Sequence, residues 1–366
     1  MNIRLLSLFG FLFLLSACAD DEVIIDDTYD VPSTYNFENV DYDGQTQRLS
    51  MLLEMKNYMW TSVNGPAVLE ADRLKAMYAN DVANASFEGT YDESKQLKSK
   101  TFEQEQEKFE ALIDKMAAAS ASTEVGSEGV AGIVTSLDGE KQYLVGPEGL
   151  EYLQLIEKGL MGACFYYQAT TVYLGSGRMD VDNTTVETGK GTEMEHHWDE
   201  SFGYWGVPTD FPANTAGVIF WGDYTNDRDP ILGVNQPLMD AYLTGRAAIS
   251  NDDLETRDQA IEDVRENFEL VVATTAIHYI NSTLANMDDF ARYAHALSEA
   301  IAFTYSLQFN EGKKITNAEV EEVLTLIAGS ADFDSMNLYN VTTSDLEAAR
   351  DKLATIYEVE DNKTDF

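Results

Sequence analysis

Two cysteines, four histidines and 24 basic residues are what this 366-residue chain is shortest of. Two cysteines, Cys18 and Cys164, exclude a disulfide-stapled fold and any multi-cysteine metal knuckle. The 24 basic residues stand against 64 acidic ones, a formal charge of −40, so the chain repels nucleic acid and anionic lipid. The histidines never form His-Glu-x-x-His, which sets two zinc ligands and a general base on one helix face. There is no Gly-x-Ser-x-Gly nucleophile elbow. Gly189-Lys190-Gly191 lacks the first glycine and the trailing hydroxyl of a phosphate loop. Hydrophobic residues still make up 44 %, enough to bury a core, so the acidity does not mark a disordered tail.

The first 17 residues read as a signal peptide, with Arg4 followed by an apolar run from Leu5 to Leu15. That run, about 11 residues, is half the roughly 20 a membrane-spanning helix needs. Leu15-Ser16-Ala17-Cys18 is a lipobox, which predicts cleavage before Cys18 and lipidation of that cysteine. The outer membrane becomes a partner through this anchor. The mature chain would carry 23 basic and 64 acidic residues, a charge of −41. Cys164 would then be the one free thiol, placed on an apolar helix where a buried, inert role is expected. Ala19-Asp20-Asp21-Glu22 resembles the surface-export signal of Bacteroidetes lipoproteins; an ordinary acidic tether facing the periplasm is the alternative. Residues 18–41 are acidic and without helical period, which predicts a flexible tether.

From residue 42 onward helical periodicity dominates, and the expected fold is all-α. Helices are predicted over residues 46–60, 67–78, 101–119, 147–174, 236–249, 253–284, 288–309, 316–327 and 344–357. Pro147 sits where a first-turn proline belongs. Thr316 with Glu319 and Ser344 with Glu347 have capping-box spacing. Residues 120–146 read as a short hairpin or irregular loop, a possible seam between two halves. Residues 207–235 read as a long loop, a wall or lid. The structured length exceeds one ordinary bundle core, so a pair of packed bundles is expected.

The densest chemistry lies between Thr192 and Gly206. Thr192 and Glu195 form a capping box that starts a helix at Glu193. Residues three or four apart share a helix face, so Glu193, His197, Glu200 and Tyr204 align, and His196 also reaches Glu200. Imidazole nitrogen with carboxylate oxygen is a ligand set for zinc, iron, manganese or copper. His295 and Glu299, flanked by Ser298, Ala302 and Ser306, repeat the pairing on a later helix. Bundles build metal sites by projecting such pairs inward from several helices. The expectation is therefore that His197 and Glu200 meet His295 and Glu299 across a bundle core. The competing reading is that both pairs are hydrogen-bonded structural groups. His278 and Glu54 read as boundary residues, and the Asp-rich stretches at residues 180–183 and 223–229 as polar turns.

His197-Trp198-Asp199-Glu200 matches the His-x-x-Glu signature of the imelysin-like proteins. The wording Met194-Glu195-His196-His197-Trp198-Asp199-Glu200-Ser201-Phe202-Gly203-Tyr204 resembles a Bacteroidetes lipoprotein branch of that family. Where the best-known form of the motif has glycine two residues before the histidine, this chain has Glu195. The resemblance covers most of the chain from about Tyr35. It implies two helical bundles, with the motif helix near their interface. It also implies an association with iron and an envelope uptake partner. Three functions follow as expectations. The first is capture of a metal ion, iron or zinc, by His197, Glu200, His295, Glu299, His196 and Glu193. The second is a surface binding module for a peptide, glycan or host ligand, using Trp198, Tyr204, Trp205 and Trp221. The third is a metallopeptidase, though a lone His-x-x-Glu supplies neither a nucleophile nor a full catalytic zinc set.

Overall fold

The computed structural model describes residues 29–366, so the leader, Cys18 and the start of the expected tether lie outside the described residues. The all-α expectation holds: helices account for nearly all the regular structure. In chain order they are α1 (Asp43–Asn64), α2 (Ala71–Ala79), α3 (Gln106–Ser120), α4 (Tyr152–Leu160), α5 (Ser176–Met179), α6 (Glu193–Gly203) and α7 (Trp221–Leu232). Then follow α8 (Asn235–Ser250), α9 (Leu254–Ala285), α10 (Phe290–Ser306), α11 (Asn317–Ala328) and α12 (Thr343–Tyr357). Residues 120–146 contain the expected hairpin, β1 (Gly132–Thr135) antiparallel to β2 (Gln142–Val145), in register Gly132 opposite Val145. No helix among the described residues is long and apolar enough to cross a membrane.

Val31–Phe366 is one compact unit, and its buried apolar side chains form a continuous cluster from Tyr35 to Phe366. The long helix α9 packs against α7, α8, α10 and α12, while α4 packs against α1, α3 and α10. The α4 run does not stop at Leu160. It continues through two stretches of wide turns, Met161–Tyr166 and Gln168–Val172, each holding an extra residue per turn. Small residues set the close approaches. A Cβ on Gly162 would lie 2.0 Å from the Ser306 Oγ of α10. One on Gly245 of α8 would lie 2.1 Å from the Trp198 indole of α6.

Five sequence expectations need correction. The segment before Asp41 is not all tether, because Tyr35 is buried, stacks on Phe202 at 3.7 Å, and hydrogen-bonds Asp199. Its aromatic ring outweighs the acidic composition around it. Helix α4 begins at Tyr152 rather than at Pro147. The intervening turn, closed by Gly149 at φ 86° with Gly149 N–H donating to the Gly146 carbonyl, delays it. Residues 207–235 are not all loop, since α7 occupies the second half and ends at Gly233 in the left-handed region. Pro230 sits inside α7; it had argued for a loop. The last helix is capped by Thr342 and Asp345, not Ser344 and Glu347. Two overlapping Ser/Thr-x-x-acid frames were present, and the earlier one is used. The Trp198, Tyr204, Trp205 and Trp221 side chains are fully buried and offer no contact surface. Each indole N–H is satisfied inside, by the Tyr242 carbonyl, Thr225 Oγ1 and the Met161 carbonyl respectively. The sequence showed their clustering but not their direction.

The fit of α6 on α8 predicts that Gly245→Ala destabilises the fold by about 1–3 kcal/mol through overpacking against Trp198. Gly177→Ala, whose Cβ would meet nothing within 4 Å, stays within about 0.5 kcal/mol of wild type. Calorimetric melting of the two variants checks this.

Candidate functional site

Helix α6 starts where its sequence dictates. The Thr192 Oγ1 accepts the Glu195 N–H, and the Glu195 carboxylate accepts the Thr192 N–H. From that start, four consecutive residues diverge. Trp198 turns to α8. Asp199 is fully buried, where Oδ1 accepts from Tyr35 Oη at 2.8 Å and from Arg246 Nε at 2.9 Å. Burial raises the Asp199 pKa, and the Arg246 guanidinium and Tyr35 hydroxyl oppose that rise. Arg246 also binds Glu195, so this ion cluster ties the motif helix to α8. Sequence reading missed it: Asp199 and Arg246 lie 47 residues apart with no local signature.

His197 and Glu200 lie together, as their spacing predicts. His197 Nδ1 donates to Glu200 Oε2 at 3.1 Å, and Arg178 Nη1 of α5 donates to His197 Nε2 at 3.4 Å. That pairing sets the His197 tautomer. Glu200 Oε1 accepts from Gln45 Nε2 of α1 and from the Tyr173 hydroxyl, both at 3.0 Å. Tyr173 follows the wide turns of the α4 run, and its oxygen accepts from Lys100 Nζ at 2.8 Å. Lys100, Tyr173, Glu200, His197 and Arg178 thus form one hydrogen-bonded chain. Burial works to raise the Glu200 pKa, but the bonds from His197, Gln45 and Tyr173 and the nearby His196 bring it down to about 2.

Glu193 is mostly exposed, with Oε1 3.8 Å from His197 Nε2. His196 Nε2 lies 3.9 Å from Glu200 Oε2, and its Nδ1 has no partner among the described residues. Beside them opens a cleft of ≈ 310 Å³ lined by Asp182, Glu187, Lys190, Glu193 and His196 among others. Tyr204 faces inward, stacked beside Phe165 at 5.5 Å.

His295 and Glu299 belong to a different place. His295 Nδ1 pairs with Glu151 Oε2 at 2.6 Å, and its ring stacks on Tyr143 of β2 at 4.2 Å. Glu299 lies 3.6 Å from His295 Nε2 and 3.6 Å from Lys158 Nζ. Lys158 and Lys56 both bind Glu157, at 3.1 and 2.8 Å. Glu151 immediately precedes α4, whereas Tyr173, the partner of Glu200, follows the end of the same helical run. The roughly 15 residues from Lys158 to Tyr173 set the near edges of the two clusters about 20 Å apart along the run. The expected convergence of the two His–Glu pairs is therefore overturned. The spacing within each helix was right, but nothing in it reported which end of α4 each helix meets.

Among the described residues, no group of three or more His, Cys, Asp or Glu side chains is placed to hold one metal ion. The His197–Glu193 and His196–Glu200 pairs each offer two donors, so the residues present do not close a resident metal centre. Cys164 is buried and its thiol pKa is pushed up to about 12, which leaves it inert. Glu54 is a clamp: it accepts from the Glu88 and Gly89 N–H groups and the Tyr91 hydroxyl, pinning the loop before α3. His278 lies at the boundary as expected, its pKa lowered by burial and Arg228. Asp182 accepts from Thr184 and Thr185 in a polar turn.

Fold and site together define an all-α protein whose polar centre is organised by a His-x-x-Glu helix. The chain belongs to the family described as a domain of unknown function, DUF4856, which matches residues 32–359. No curated protein and no solved structure matches the chain.

Two pH responses follow. Glu200 has a pKa of about 2 against an ordinary 4.5, so its stabilisation is present above pH 4.5 and fades as pH falls towards 2. The melting-temperature gap between wild type and Glu200→Gln should shrink over that interval. His295 behaves oppositely. Burial lowers its pKa, but Glu151 and Glu299 outweigh burial and Lys158 and raise it above 6.5. Its contribution is full below pH 6.5 and is lost as pH rises through the raised value. The gap between wild type and His295→Gln should be wider at pH 6 than at pH 9.

Proposed function

We propose that this chain is an imelysin-like binding protein tethered to the cell envelope, capturing a metal ion as cargo at the outer end of α6. Iron is the ion the family resemblance points to, with zinc as the alternative. The observation that carries the reading is the pair of nitrogen–oxygen separations: 3.8 Å for His197 with Glu193, and 3.9 Å for His196 with Glu200. Two donors held about 2.0–2.2 Å from one ion lie roughly 3.0–3.6 Å apart at octahedral or tetrahedral angles, so each pair would close by a few tenths of an ångström on binding. Each pair leaves coordination positions to water or to an incoming chelator. That suits a protein that must release what it takes up. The adjoining cleft presents Asp182, Glu187 and Glu193, and a chain of charge −40 raises the local concentration of cations.

A binding role is favoured over hydrolysis because the site pairs no nucleophile with a base. His197 Nδ1 is held by Glu200, and its Nε2 meets Arg178 only at 3.4 Å, a contact that an incoming ion would displace. The tether is the lipid on Cys18, with an outer-membrane location and an uptake partner in the envelope. Cys18→Ser should move the protein from the membrane fraction to the soluble fraction.

Metal content of protein purified without chelator, and calorimetric titration with ferric and zinc ions, test the site. A His196→Ala/His197→Ala double variant is expected to lose at least tenfold in affinity, while His295→Ala binds as wild type does. Equal binding by all three would refute the reading.

A further inference from the structure

Basic residues are scarce here, and most of those described are matched to a carboxylate. Around Tyr173 the pattern reverses. Arg48, Lys100 and Arg178 form no ion pair within 4.0 Å among the described residues, although the chain carries 64 acidic side chains. Arg48 is buried and donates to the Gln96 and Gly44 carbonyls. Lys100 is half-buried and donates to Tyr173 alone. Arg178 is exposed, and its bond is the 3.4 Å contact to His197. The three are close enough that Arg48 and Arg178 join burial in lowering the Lys100 pKa. The internal counter-charge is Glu200, whose carboxylate also accepts from His197, Gln45 and Tyr173. Glu193 is the other carboxylate at the edge, 3.8 Å from His197.

Holding three cations together with no carboxylate in direct ion-pair contact costs free energy, through mutual repulsion and through the desolvation of Lys100. A neutral structural role would be filled at less cost by uncharged side chains. Arg178 offers a planar fork suited to carboxylate or phosphate, and Lys100 a compact charge.

We propose that Arg178 and Lys100, joined through the His197–Glu200–Tyr173 chain, bind a small anion carrying carboxylate or phosphate groups at the open edge of this site. The proposal rests for its setting on the capture reading and deepens it: a chelating anion supplies the donors that the two-donor pairs lack. The anion site also stands without the metal, since its contacts are to the basic groups.

The test uses the detergent-solubilised full chain at low ionic strength, titrated calorimetrically with citrate and with inorganic phosphate, first without metal and then with ferric or zinc ion. Wild type should bind at least one of the two anions. Arg178→Gln and Lys100→Met should each weaken that binding at least tenfold, and Arg178→Lys should fall between. Lys141→Gln, which alters an exposed base on the distant hairpin, should bind as wild type. Melting curves verify that each variant is folded. Absence of anion binding by wild type, or equal weakening by Lys141→Gln, overturns the proposal. Metal binding without anion binding removes this inference and leaves the capture reading. Anion binding without metal binding does the reverse. Preference for citrate over phosphate identifies a carboxylate ligand, and the opposite preference a phosphate.

Discussion

Everything at the candidate site depends on the indole of Trp198 lying in the notch that Gly245 leaves on α8. That contact admits no Cβ, so the two helices can approach this closely only with glycine there. With the indole seated, Asp199 is carried inward to Tyr35 and Arg246, and His197 and Glu200 are turned to the other side. A four-residue motif thus does two jobs. Its middle two residues bolt the helix down, and its outer two form the polar centre. Removing Arg246 would leave the buried Asp199 carboxylate without its counter-charge, whereas removing Asp199 would leave Arg246 its second partner, Glu195.

The α4 run is the spine that separates two polar clusters of different character. At its start, Glu151, Glu157, Lys158 and Glu299 are buried and paired with one another or with the partly exposed His295. This cluster has the marks of a structural knot: low exposure and close partners. At its end, the groups around Tyr173 are partly open and hold more positive charge than they neutralise internally. Similar residue types therefore serve unlike ends, and burial decides which.

Periodicity and capping made most of the helices legible. The Thr192–Glu195 and Thr316–Glu319 boxes mark helix starts to the residue, because reciprocal backbone bonds leave little freedom in where the first turn begins. The His197–Glu200 contact was legible for the same reason: it is local. What could not be read was anything set by tertiary direction. The tryptophans looked like a surface because composition does not report which way a ring points. The two histidine pairs looked convergent because heptad-scale spacing carries no information about position along a partner helix. Arg178, Lys100 and Gln45 come from three separate segments, and nothing near them in sequence marked them as neighbours of Glu200. Helix α7 was hidden by its own proline and glycine, which read as punctuation.

The under-wound stretch between Met161 and Val172 has an evolutionary corollary. Wide turns of this kind arise where a residue has been inserted into a helix and the surrounding packing has absorbed it locally. An extra residue would turn an ordinary helix by about 100°, and the wide turn takes up that angle, so what lies downstream keeps its azimuth. The phenol of Tyr173 meets Glu200 at that preserved phase. Deleting one position from a wide turn would restore ordinary winding and leave the phenol on its side of the rod, whereas deleting one from the regular turns of α4 would swing it away. The wide turns thus keep the polar centre in phase with the start of the run.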